Sequence, residues 1–219
     1  MSGGALTRLV QFNLNDRYPY VKRQAMWRDK LLGDPISVWV VERIWTWQWL
    51  TPTAVTLLSF LLAILACKSF AHGGWFLTLG AIAWEVAHWL DCVDGKLARK
   101  TRNFSKVGAW LDKNLDRVKR VSAMLCLVYA YGEHWVVLLA TYAAIVASRR
   151  LKKRPNREVD GWLAKRNVLS LFDAQDETLM IFTVGPLFQA PLGGAALAIV
   201  GQLGDRLARI LVKQSDPLP

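Results

Sequence analysis

The stretch HWLDCVDGKLARKTRNFSKVGAWLDKNLDRVKR, residues 88–120, sets Asp91, Asp94, Asp112 and Asp116 among tryptophan, leucine, valine and alanine. Apolar runs lie on both sides of it. Ionisable groups at the edge of such runs are costly to keep, and by default they mark function. How this stretch is read therefore decides both the fold and the chemistry.

The surrounding runs set the fold class. Of the 219 residues, 53% are hydrophobic, more than is usual for a soluble domain of this length. A spanning helix needs about 20 mostly apolar residues. Runs of that kind are predicted over 52–70, 75–90, 107–131, 134–148, 179–190 and 192–212. Three cysteines, Cys67, Cys92 and Cys126, fit no zinc or redox spacing and read as small buried hydrophobes. No apolar h-region opens the chain, so no signal peptide is expected.

Net charge is +11, and its placement tests the count of spans. Lys96, Arg99, Lys100, Arg102 and Lys106 follow the second run. SRRLKKRPNREVDGWLAKR follows the fourth, and Arg206, Arg209 and Lys213 lie near the end. The alternate turns, KSFAHGGW, YGEHW and QAPLGG, hold one lysine between them. Lys and Arg stay on the cytoplasmic side. Six spans with both termini cytoplasmic satisfy hydropathy and charge together. Much of the basic charge then orients the protein and meets anionic lipid. No stacking platform or fold motif accompanies it, which argues against nucleic acid.

Residues 1–50 do not span. ISVWVVERIWTWQWL (36–50) carries Trp39, Trp45, Trp47 and Trp49 and reads as an amphipathic interfacial helix, with a helix packed on the bundle as the rival. The expected organisation is an N-terminal cytoplasmic or interfacial segment (1–50), a six-helix transmembrane domain (51–213) and a short tail (214–219), an all-α integral membrane protein.

The carboxylates come in two pairs. Asp91 and Asp94 are i, i+3 at the cytoplasmic end of the second run, and Asp112 and Asp116 are i, i+4 near the start of the third. On antiparallel neighbours the pairs converge. Converging carboxylates must be neutralised. Ion pairs with Lys96, Arg99, Lys113 and Arg117 are one solution, and a divalent metal is the other. Oxygen donors favour Mg²⁺ or Mn²⁺. His88 and Cys92 suggest zinc, but the cluster is mostly carboxylate.

Ion pairing alone leaves the small residues Gly95, Ala98 and Gly108 without a reason. Together the fixed points read D91-x2-D94-G95-x2-A98-R99-x8-G108-x3-D112-x3-D116. This pattern resembles the signature of the CDP-alcohol phosphotransferases, also called CDP-alcohol phosphatidyltransferases, at every fixed position. Six spans, a cytoplasmic N-terminal helix and a Thr-Pro at the head of the first span extend the likeness.

The resemblance implies transfer of a phosphatidyl or other phosphoalcohol group from a CDP-linked donor to a hydroxyl, with release of CMP. It implies a di-metal site of Mg²⁺ or Mn²⁺ on Asp91, Asp94, Asp112 and Asp116, with Asp116 also the general base. The CDP donor is expected at Thr51, Asp91, Asp94, Gly95, Ala98, Arg99, Gly108 and Asp112. Family members commonly carry Thr-Pro-Asn where this chain has Thr51-Pro52-Thr53, which puts Thr53 in doubt as a donor contact. Arg117, Lys119 and Arg120 are candidates for the acceptor, or for pairing with Glu85 or Asp205. Acidic Asp173, Asp176 and Glu177 would suit a neutral or cationic acceptor, or balance the preceding basic loop. CDP-diacylglycerol with a polar alcohol is the expected arrangement. A CDP-linked polar head with a lipid acceptor is the alternative, and a cation transporter or channel the rival from another class. A homodimer in the membrane is also implied.

Overall fold

The structure, a computed structural model, describes residues 14–47, 49–134, 156–165 and 170–212, with 136, 137, 139, 140, 143, 144 and 147. The described residues are helical, apart from turns and short connections. Seven of the fifteen positions of the expected span over 134–148, with Lys213 and the tail 214–219, lie outside them.

Helix α1 (Asp34–Ile44) follows a wide turn over Asp29–Gly33. Pro35 lacks an amide and its ring crowds the carbonyl one turn back, which explains the widening. Helix α2 (Pro52–His72) starts on Thr51, whose hydroxyl accepts from the Ala54 amide at 3.2 Å, with Pro52 at the first helical position. Gly73, at φ +66°, ends it. Helix α3 (Phe76–Thr101) ends at Arg102 in the left-handed conformation, and Ser105 caps helix α4 (Lys106–Tyr131) by accepting from the Gly108 amide.

After the undescribed connection come α5 (Arg157–Lys165), α6 (Ala174–Leu179) and α7 (Pro191–Leu211). Between α6 and α7 the chain runs through a wide turn, Met180–Val184, and a last turn, Gly185–Leu187. Pro186 explains the widening as Pro35 does. Gly185 and Gly194 let this segment and α7 touch backbone to backbone.

Among the described residues, α2 and α3 are long and apolar enough to cross a membrane. The runs expected over 107–131 and 192–212 are also single helices, α4 and α7. One half of each carries charge, Lys113, Asp116 and Lys119 in α4 and Asp205, Arg206 and Arg209 in α7, so composition alone does not mark them as spans.

Packing departs from expectation at one point that matters. Helices α3 and α4 both lie along α2 and touch each other far less. Their acidic ends therefore face across a gap. Phe70, Leu77, Trp84, Leu127 and Phe182 fill the core toward the far end of the bundle. Val41, Val55, Val93 and Leu97 form a second cluster under the acidic end, which seats α1 on α3. The outer face of α1 and its exit present Trp39, 58% exposed, and Trp49, 72% exposed. One face of this helix thus packs on the bundle while its tryptophans look outward.

Candidate active site

The gap between α3 and α4 is where the acidic stretch closes on itself. Carboxylate oxygens of Asp91, Asp112 and Asp116 lie within 4.8 Å of one another. Asp94 turns to α2, where the Thr56 hydroxyl donates to its Oδ2 at 2.5 Å. The structure therefore brings three of the four expected ligands together and holds the fourth on a neighbouring helix.

Positive charge is supplied differently from the sequence expectation. Lys119 reaches back one turn, with Nζ 2.6 Å from Asp116 Oδ1 and 2.8 Å from Asp91 Oδ1. It is buried, at 8% exposure, and also reaches Ser59 Oγ at 3.4 Å. Lys96 is drawn away to Asp34 at 2.7 Å, and Arg99 donates to the Tyr20 carbonyl at 2.6 Å. Lys113 and Arg117 are exposed. The pairings proposed for Arg117, Lys119 and Arg120 with Glu85 or Asp205 do not form: Glu85 pairs with Arg28, and Asp205 with Arg209. Arg28 comes from the N-terminal segment, too distant in sequence for any local pattern to have matched it to Glu85.

Two cavities open beside the carboxylates. One, of about 320 Å³, runs between the head of α2 and the α3–α4 turn, past Thr51, Thr53, Ala98, Phe104 and Gly108. Thr53 lines it, and a Cβ on Gly108 would stand 3.1 Å from Thr53 Oγ1. The other, of about 370 Å³, is lined by Lys22, Asp29, His88, Lys119, Arg120 and Gln175 among others. Arg117 does not reach it. Asp94, Gly95, Arg99 and Asp112 border both cavities. The acidic stretch is thus a seam between two chambers.

The acids of FDAQDET do not face the seam as charge for an acceptor. Asp173 and Asp176 cap α6 reciprocally, and Glu177 is buried against Gln202. Gln175 and Thr178 of the same segment line the larger cavity instead. Burial raises the Asp29 carboxyl, but the His88 imidazole beside it and the Lys96 ammonium hold it below the usual carboxylate range.

Asp29, Asp34 and Lys22 line the larger cavity beside the carboxylates, and sequence reasoning missed them. They lie in a segment read only as interfacial, and no spacing connects them to the acidic stretch.

A family model described as CDP-alcohol phosphatidyltransferase matches residues 49–174. The chain is 28% identical over 152 residues to the archaetidylinositol phosphate synthase of Pyrococcus horikoshii, covering 69% of this chain and 77% of that one. It is 32% identical over 109 residues to cholinephosphotransferase 1 of Gallus gallus, covering 45% of this chain and 32% of that protein. The crystal structure of Mycobacterium tuberculosis phosphatidylinositol phosphate synthase with manganese and citrate aligns at a TM-score of 0.49 and 16% identity, over 86% of this chain and 94% of that one. With its acidic signature complete and more than half its length matched by the family model, the chain belongs to the CDP-alcohol phosphatidyltransferase family, membrane-integral transferases of phospholipid synthesis.

Proposed function

We propose that this protein transfers a phosphatidyl group from a CDP-linked lipid, such as CDP-diacylglycerol, to the hydroxyl of a polar alcohol and releases CMP. The observation that carries the reading is the seam: two chambers share Asp94, Gly95, Arg99 and Asp112, with the remaining carboxylates alongside. One chamber, walled by Thr51, Ala98 and Gly108, suits the nucleotide. The other, with Lys22, Asp29 and Arg120 in its wall, suits a polar acceptor.

The carboxylates fit a divalent metal. Three oxygen donors converge, and among the described residues a single ammonium, that of Lys119, lies between Asp91 and Asp116, so the cradle already calls for positive charge. Hard oxygen donors suit Mg²⁺ or Mn²⁺. Asp91, Asp112 and Asp116 would hold such ions, with Asp94 completing the set once released from Thr56. When bound, the ions would neutralise the diphosphate. Asp116 takes the proton from the acceptor hydroxyl as its oxygen bonds to the β-phosphorus. The bond from that phosphorus to the bridging oxygen breaks, and CMP leaves. Alignment across the seam supplies much of the rate.

The reading extends to six spans, with the seam and both termini cytoplasmic, the outward tryptophans of α1 in the headgroup layer, and a homodimer. The reverse arrangement, a CDP-linked polar head and a lipid acceptor, has one support in the likeness to cholinephosphotransferase 1. The polar wall of the larger chamber supports the first arrangement. A cation path would need unpaired acids through the membrane depth, yet Glu85 is bound to Arg28 and Thr183.

Purified protein given CDP-lipid or CDP-polar donors, with Mg²⁺ or Mn²⁺ and a panel of alcohols, tests the proposal. The expected result is CMP and a phospholipid from the CDP-lipid donor only. Product from the CDP-polar donor alone would reverse the assignment of the two chambers.

A further inference from the structure

On the face of α3 that carries His88 and Cys92, one turn apart, a third donor arrives from far away in sequence. Asp29, in the turn before α1, places Oδ1 3.6 Å from His88 Nε2 and 3.7 Å from Cys92 Sγ. The sulfur stands 3.8 Å from the same Nε2. The three atoms form a nearly equilateral triangle, and the His88–Asp29 side is longer than a hydrogen bond. Tetrahedral zinc bonds of about 2.0–2.3 Å put neighbouring donors roughly 3.3–3.8 Å apart.

A nucleophilic triad is excluded by which atoms face each other. Such a triad needs one ring nitrogen on the thiol and the other on the carboxylate. Here Nε2 alone meets both. The surroundings are also built to this spacing. Gly33 backs the triangle, and a Cβ there would stand 3.1 Å from Asp29 Oδ1 and 3.5 Å from Cys92 Sγ. The Lys96 ammonium, which also reaches the Cys92 carbonyl at 3.4 Å, is held by Asp34.

We propose that Asp29, His88 and Cys92 bind a thiophilic divalent cation, such as zinc or cobalt, at a site separate from the oxygen-only cradle of Asp91, Asp112 and Asp116. Sulfur and imidazole select against Mg²⁺, and the aspartate cradle lacks both. The thiol proton leaves to solvent as the thiolate binds. The fourth position of a tetrahedral ion is left to water from the larger cavity, whose wall all three residues share. Occupancy ties the N-terminal segment to α3 at the rim of that cavity.

The test is Co²⁺ titration of the detergent-purified full chain, read by the thiolate-to-cobalt charge-transfer band. Cys67→Ser/Cys126→Ser removes the other thiols and is expected to keep the band. Cys92→Ser abolishes it, and His88→Gln and Asp29→Asn each weaken cobalt binding at least about tenfold. Asp112→Asn/Asp116→Asn retains the band. No band in the wild type, a full band in Cys92→Ser, unchanged affinity in both His88→Gln and Asp29→Asn, or loss in Asp112→Asn/Asp116→Asn would overturn the proposal.

Discussion

Lys119 holds its ammonium 2.6 Å from the carboxylate of Asp116, one turn earlier on the same helix. Its second partner, Asp91 at 2.8 Å, belongs to α3, so this lysine ties together the two halves of the cradle. An ammonium and a divalent ion compete for the same oxygens. Lys119→Met is therefore expected to tighten Mn²⁺ binding about tenfold, or ~1.4 kcal/mol, and to lower the melting temperature without metal. Unchanged Mn²⁺ affinity with a raised KM for the acceptor would instead make Lys119 an acceptor ligand.

The buried pair Arg28–Glu85 anchors the N-terminal segment against α3. Its side chains are 3% and 14% exposed. Removing one partner strands a buried charge, at a cost of about 3–5 kcal/mol. Glu85→Ala should lower thermal stability in detergent strongly, and Arg28→Met/Glu85→Met should recover much of the loss. Equal stability of Glu85→Ala and wild type would contradict this.

Gly108 leaves room beside Thr53 at the mouth of the smaller cavity. Gly108→Ala pushes a methyl to 3.1 Å from the threonine hydroxyl, so one of the two must shift. A shift of a few tenths of an ångström here should cost up to about tenfold in kcat/KM. The loss should appear mainly in the KM for the CDP donor, with helicity unchanged. Adding Thr53→Ala should relieve part of it.

Acid should loosen the N-terminal segment through Glu42. This carboxylate accepts from Lys100 at 2.6 Å and from the Tyr20 hydroxyl at 2.5 Å. Those hydrogen bonds, Lys100 first, hold it below the usual carboxylate range. A folded value below the unfolded one means the link is fully present above the unfolded value and is lost as pH falls toward the folded one. Protease cutting before α1 should therefore rise below ~pH 4. Glu42→Gln should already show faster cutting at neutral pH. Equal cutting of the two proteins at neutral pH would remove Glu42 from this role.

The sequence announced the acidic stretch because helical spacing is local. The i, i+3 and i, i+4 pairs and the small residues between them can be read from one window of chain. The helix limits at Thr51-Pro52, Gly73 and Ala190-Pro191 were legible for the same reason. What it did not show arises from long-range pairing. Arg28 on Glu85, Asp29 on His88 and Lys96 on Asp34 join the N-terminal segment to α3 across more than fifty residues. No periodicity encodes such meetings. Asp94 turned to Thr56 for a similar reason, since its partner lies on a different helix. Lys119 was singled out for its charge, but its partners proved to be the aspartates themselves.

CMP release from CDP-diacylglycerol by wild-type protein and by Asp116→Asn, both with Mn²⁺ and a competent alcohol, tests the central claim most directly. The account expects acceptor-dependent CMP release from the wild type, and a fall of at least about a hundredfold in Asp116→Asn with its helicity retained. Undiminished turnover in Asp116→Asn, or cation flux through reconstituted wild-type protein with no CMP formed from any donor, would contradict it.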